Sequence, residues 1–481
     1  MRQKFAINLA FLFGANLLVK PFWIFGIDRV VQNTLGAAEY GFYFAVFNFS
    51  LLFSVLLDVG LSQFNSRAVS RVPERLPSYF GNLMLMKFIL AAVYFSVTVF
   101  LAIVNGFDGQ KMKLLLWLLV NQTLLTFILF FRSNLQALQL FKIDSFVSVS
   151  DRLLSIIFCG SMIWFNIAAL SIWNFVWAQT AALFLTALIS GTVVMWKARG
   201  RFYWWKPSFR LKILRSTLPY ALLVFLMTIY ARVDAVLIDR LLGELGVMQA
   251  GIYAASFRIF DAANQFGFLF STILLPMFSS NFKQQVSNNT LVHFSLQSIL
   301  AMAVPVAALC VFWSPFWMQW LYHRQDSDWN AVFTVTMLCF IPASATYILG
   351  TLLTAKGELI ALCKMAAVAV VINVVANFCL IPRWGALGSA FAALTTHLLV
   401  LVLHVYAVSV RVQLRWSAKE LTRIVLFFLS CFAATRLISF LPLPSPYSLS
   451  LGGSVLLMLI FGFKMIPLSD VFQMWKKRLP T

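Results

Sequence analysis

The chain has 481 residues, of which 61% are hydrophobic and 11% charged, and its mean hydropathy is +0.87. These values exclude an ordinary soluble globular protein and describe an all-α polytopic membrane protein. The formal net charge of +21 does not point to nucleic acid, because the basic residues lie in alternate loops and form no basic domain.

A spanning helix needs roughly 20 apolar residues, and runs of that length exclude a β-barrel, whose strands are about ten residues long. The apolar runs predict helices near 7–31, 39–63, 80–104, 112–137, 146–167, 170–196, 213–240, 248–279, 290–320, 330–355, 361–381, 385–410, 418–440 and 447–466, about fourteen in all. Met1 to Lys4 is a positive start, but no small-residue cleavage site closes the run that follows, so the first segment reads as a retained helix. Pro21 predicts a bend there, with Lys20 at the kink and Asp28 and Arg29 near the outer end. The second helix carries Asp58 followed by Gly60, and the third carries Lys87 at similar depth, which suggests a cross-helix ion pair. Arg132 on the fourth helix and Asp151 and Arg152 on the fifth form a second expected pairing group.

Between the sixth and seventh helices, Lys197 to Lys212 is the most basic connection and carries Trp204, Trp205 and Pro207. It divides the chain into a first lobe (1–196), a cytoplasmic basic linker (197–212), a second lobe (213–410) and two accessory helices with a cytoplasmic tail (411–481). Arg232 and Asp234 lie in the outer half of the seventh helix, two residues apart and so on different faces. Arg258 and Asp261 on the eighth are three apart, which leaves Asp261 either the local partner of Arg258 or a proton- or cation-coupling group. Charges at membrane depth are functional-site candidates. His397 and His404 on the twelfth helix read as packed histidines, with a proton relay as the alternative. The six cysteines stand singly in apolar runs and read as core residues, neither disulfides nor metal ligands.

Sorted by loop, roughly 22 basic residues fall on one side of the membrane and about 5 on the other, which places both termini in the cytoplasm. The two halves repeat a short pattern. Asp28-Arg29, Leu35-Gly36 and Gly41-Phe42-Tyr43 correspond to Asp239-Arg240, Leu242-Gly243 and Gly251-Ile252-Tyr253, with 12 positions from arginine to second glycine in one copy and 11 in the other. Six helices separate the copies, so the repeat is parallel: two six-helix lobes in pseudo-twofold arrangement, a known transporter layout, plus two extra C-terminal helices.

The run from Val31 to Tyr43, continuing through Leu57-Asp58-Val59-Gly60-Leu61, resembles the start of the polysaccharide transporters, the O-antigen-type flippases of the multidrug/oligosaccharidyl-lipid/polysaccharide (MOP, MATE-like) exporter superfamily. Asp234 to Ile238, Leu242-Gly243, Gly251-Ile252-Tyr253 and Arg258 are similar to its second-half stretch. The resemblance implies the MATE/MOP fold and alternating access in a bacterial inner membrane. It further implies movement of an undecaprenyl-pyrophosphate-linked oligosaccharide between leaflets, with polysaccharide polymerase and assembly proteins as partners. In the related lipid II flippases, cations on the first and eighth helices meet the pyrophosphate, and by position Lys20 and Arg258 match them. A lysine on the first helix departs from the more usual arginine and lacks its planar fork. With Arg232 these are the expected substrate-binding cations, and Asp28, Asp58, Asp234 and Asp261 the expected counter-charges or coupling groups. No catalytic residue, metal ligand or cofactor is expected, and coupling is left between a proton gradient, a sodium gradient and the membrane potential. Two alternatives remain. A MATE-type multidrug exporter would want acidic cavity residues, and a membrane polymerase or glycosyltransferase would want an extramembrane domain, whereas the longest loops run to about sixteen residues.

Overall fold

The computed structural model describes residues 19, 21–72, 74, 76–198, 207–324, 326–414 and 416–465. Lys20, most of the opening helix, the middle of the basic linker and the tail after 465 lie outside them. The described elements are helical, and no strand occurs among them. The chain divides into two compact units, Met1–Ala254 and Ala255–Thr481.

The first unit opens after Pro21 with a π-wound turn, Trp23–Asp28, so the expected irregularity takes the form of a widened turn where proline removes a donor. It runs directly into α1 (Arg29–Leu52), which is two helices joined at Gly36, where φ is 77° and ψ 173°. The Tyr40 hydroxyl donates to the Asp28 carboxylate at 2.9 Å across a separation of 12 residues. In a continuous helix those residues would be about 18 Å apart, so the chain turns back at Gly36, in the turn that the repeat marks.

The second predicted helix, 39–63, does not run through. It ends at Leu52 and passes through a 3₁₀ turn, Ser54–Leu57. Val59 and Gly60 then take φ of 44° and 81° before α2 (Leu61–Arg71). The break survives in an apolar setting because the Lys87 ammonium donates to the freed carbonyl of Leu57 at 3.2 Å.

Lys87 belongs to α3 (Leu76–Val104). α4 (Gly109–Ala137) is capped by Asp108, which accepts from the Lys111 amide. α5 (Phe141–Phe165) stops at Asn166 in the left-handed region, and Ser171 caps α6 (Ile172–Lys197), so the predicted division at 166–170 holds. α4 and α5 both pack on α6, and α1 packs on α7 (Pro207–Leu241). Phe80 stacks on Phe130 with centroids 5.7 Å apart, inside a core that includes Leu61, Leu135 and Val194. α8 (Gly246–Lys283) carries the boundary between the units.

In the second unit, the predicted helix 290–320 is broken at Trp313, ahead of Pro315, into α9 (Asn289–Phe312) and α10 (Ser314–Tyr322). α11 (Ser327–Leu338) and α12 (Phe340–Lys356) together form one span. α13 (Leu359–Ala407) is again two helices, joined at Gly385 with φ 56° and ψ −134°. Ser389 donates to Asn377 at 2.8 Å across 12 residues, which requires the same reversal. α14 (Ala418–Ser439) and α15 (Ser445–Gly462) pack on α9. The Trp313 indole donates to Ser448 at 2.9 Å and Phe312 meets Phe432 edge-on. These accessory helices are thus tied to the unit by side chains.

Ten helices among the described residues are long and apolar enough to cross a membrane, or eleven if the bent pair Trp23–Leu52 and Ser54–Ser66 is one span. The 54-residue run Leu359–Val412 holds two predicted segments on either side of Gly385. α8 is not among the ten, since Arg258, Asp261, Asn264 and Gln265 lower its hydropathy.

Candidate functional site

The repeated turns meet in the first unit. A Cβ on Gly41 would overlap the carbonyl oxygen of Val247, and one on Gly251 the carbonyl oxygen of Ala37. Each glycine therefore faces the carbonyl four residues before the other, a reciprocal contact that matches the pairing of Gly41 with Gly251 read from the sequence. Small residues let the backbones touch, and the Gln32 amide donates across the crossing to the Gly251 carbonyl at 3.1 Å.

Around this crossing two buried carboxylates are each held by a tyrosine. Asp28, 3% exposed, accepts from Tyr40, and Asp234, 2% exposed, accepts from the Tyr253 hydroxyl at 2.8 Å. Hydroxyl donors of this kind offset the desolvation of a buried carboxylate. Of these two tyrosines the sequence repeat marks Tyr253, whereas in the first copy it marks Tyr43 and not Tyr40. Asp239, beside the second repeated turn, pairs with Lys111 at 2.7 Å.

Asp58 and Lys87 form the expected ion pair. The lysine side chain is 1% exposed and the aspartate 30%, and Asp58 also accepts from the Ser62 hydroxyl at 2.7 Å. The second expected group is corrected. Arg132 pairs with Asp144 at 2.7 Å, and Gln136 donates to the same carboxylate at 3.0 Å. The reason is distance from the turn: Arg132 and Asp144 stand about equally far from the short α4–α5 connection, while Asp151 lies two helical turns deeper, about 10 Å away. Asp151 instead neighbours Arg152 at 3.6 Å, and the Arg152 guanidinium lies over the Trp23 ring, 5.3 Å from its centroid.

Of the remaining expected cations, Arg232 is half-buried in the first unit, two residues before the buried Asp234. Arg258 and Asp261 are half-buried on α8 in the second. Lys20 lies outside the described residues. His404 makes a ring-nitrogen contact with the Val400 carbonyl at 2.8 Å, and His397 packs edge-on against Phe260, both in keeping with packed histidines. Among the described residues no cluster of His, Cys, Asp and Glu could hold a metal ion.

The geometry thus provides a many-span helical protein in which buried or half-buried aspartates are held by tyrosine or lysine and Arg232 and Arg258 are half-buried, each in its own unit. Among solved structures, its fold is similar to that of the lipid II flippase MurJ in an inward closed conformation (TM-score 0.70, 12% identity, covering 97% of this chain and 99% of that one). It is also similar to a multidrug resistance MATE family transporter of the MOP superfamily in an inward-facing conformation (TM-score 0.66, 12% identity, 81% and 94% covered). A MATE transporter from Vibrio cholerae is a third (TM-score 0.58, 14% identity, 85% and 96% covered). No curated protein matches the sequence. At these identities the likeness is one of fold; the sequence itself, over residues 8–282, matches the model of the family described as Polysaccharide biosynthesis protein, and the chain belongs to that family.

Proposed function

We propose that the protein is a flippase for an undecaprenyl-pyrophosphate-linked oligosaccharide, an O-antigen or exopolysaccharide repeat unit, in the bacterial cytoplasmic membrane with both termini inside. The observation that carries this reading is the match to a polysaccharide biosynthesis family over 8–282 in a chain folded like a lipid II flippase. A pyrophosphate is a concentrated anion that must cross a low-dielectric layer, and several cations offset its desolvation. Arg232, Arg258 and Lys20 are proposed to meet it, with Asp28, Asp58, Asp234 and Asp261 as counter-charges or coupling groups. The two lobes would alternate access between leaflets, and release needs only a modest difference in affinity between the two facing states. No cofactor is proposed. A proton gradient, a sodium gradient or the membrane potential would drive transport, and polymerase and assembly proteins would take the product.

The MATE-type exporter shares the fold, and the family match favours the glycolipid. Reconstitution in liposomes with a labelled lipid-linked oligosaccharide tests the reading: leaflet transfer should require the protein and respond to a pH or sodium gradient. Absence of transfer, with drug efflux in its place, would favour the exporter.

A further inference from the structure

Arg152 stands at a depth where a cation needs a reason. The span Lys142–Phe165 has 24 residues, about 36 Å of helix, and Arg152 enters it about 15 Å from its start. The lipid-facing side of α5 is marked by Phe146, Ile157 and Trp164, which are 57%, 59% and 54% exposed and recur along one stripe. At about 100° per residue, Arg152 lies about 120° from that stripe, on the side shared with Ser148, Asp151 and Ser155. Its side chain is nevertheless 37% exposed. A guanidinium open to hydrocarbon at mid-depth is strongly disfavoured, and the face of α5 that carries Arg152 is its polar one, turned away from that stripe.

Its surroundings hold it without saturating it. The Trp23 ring beneath the guanidinium is 7% exposed and stacks on Phe175 at 6.0 Å, a rigid platform set in the π-wound turn after Pro21. Its one carboxylate neighbour in an ion pair among the described residues is Asp151, which approaches Nε at 3.6 Å and makes no two-pronged bond. Cation–π seating uses the face of the guanidinium and leaves its edge donors directed outward.

We propose that Arg152 is a substrate-binding residue that presents its edge donors to the phosphate groups of the polyprenyl-linked substrate, with Trp23 as its platform and Asp151 as its counter-charge in the empty state. This rests on the flippase reading, and it adds a cation on α5 to those on the first, seventh and eighth helices.

Binding of undecaprenyl pyrophosphate and of uncharged undecaprenol to the purified full chain tests it. Arg152→Gln should weaken pyrophosphate-lipid binding by about tenfold or more, the loss of a charge-assisted pair, and leave undecaprenol binding unchanged. Arg152→Lys should recover only part of the affinity, because a lysine lacks the fork. Equal pyrophosphate-lipid affinity in wild type and Arg152→Gln overturns the proposal and leaves the flippase reading standing. A wild type that binds the two lipids equally overturns both. Should Arg152→Gln lose undecaprenol as well, Arg152→Lys decides: full pyrophosphate-lipid affinity overturns the proposal, and reduced affinity with undecaprenol binding intact supports it.

Discussion

Replacing Gly251 by alanine puts the reciprocal crossing to a direct test. The new Cβ would stand 2.6 Å from the carbonyl carbon and 2.8 Å from the Cα of Ala37, and closer still to the carbonyl oxygen. Carbon atoms in contact sit about 3.5–4.0 Å apart, and the obstructing atoms are backbone, so the two segments must part by about 1 Å. Overpacking of this kind costs about 1–3 kcal/mol, and the helix propensity gained, at most about 1 kcal/mol, offsets only part of it. The net effect is a melting temperature lower by several degrees, at about 2–4 °C per kcal/mol for a unit of this size. The buried thiols Cys159 and Cys431, both 0% exposed, report it through a thiol-reactive dye during heating in detergent. Gly453→Ala, where nothing lies within 4 Å of the new atom, serves as the control and should be neutral or slightly stabilising. Gly41→Ala combined with Gly251→Ala should cost less than the sum of the two, because both relieve the same contact. A Gly251→Ala protein that melts at or above wild type would refute the close crossing.

Asp58→Asn should lower stability by about 3–5 kcal/mol, because it strands the Lys87 ammonium, and adding Lys87→Met should restore only the part owed to the stranded charge, since it also removes the donor to the Leu57 carbonyl; recovery of folded, monodisperse protein measures it. Tyr253→Phe removes the hydroxyl that Asp234 accepts from, an expected cost of about 1–3 kcal/mol, seen as a fall in melting temperature; an unchanged melting temperature would show the hydroxyl to be immaterial. Arg258→Gln should abolish oligosaccharide-lipid transfer in liposomes while the melting temperature stays near wild type; normal transfer would remove Arg258 from the proposed site.

The helix pattern was legible because apolar run length reports spans directly, and the reversals at Gly36 and Gly385 were legible because each sits in a short polar interruption between two such runs. The Asp58–Lys87 pair could be read because both residues lie near the same membrane face on consecutive helices. Other features depend on geometry that periodicity does not encode. The break after Leu52 leaves hydropathy unchanged, since Phe53 to Leu57 are as apolar as the helix before them, and only the lysine reaching Leu57 explains it. Asp144 escaped notice because it falls just inside the helix start, where a carboxylate ordinarily reads as a solvated end group.

Those partners sort the membrane-depth charges by what a substitution would disturb. Lys87, Asp28 and Asp234 are buried and answered at fixed distance by Asp58, Tyr40 and Tyr253, so loss of their charge falls first on stability. Arg152, Arg232 and Arg258 are half-buried, and the open part of a half-buried cation keeps hydration that the proposed anion could replace. The flippase proposed above would need that division: a pyrophosphate bound by cations that also hold the fold would loosen the fold each time it left. Melting temperature and transport rate should therefore respond to different arginines and aspartates, and a cation whose removal changes both equally belongs to neither group.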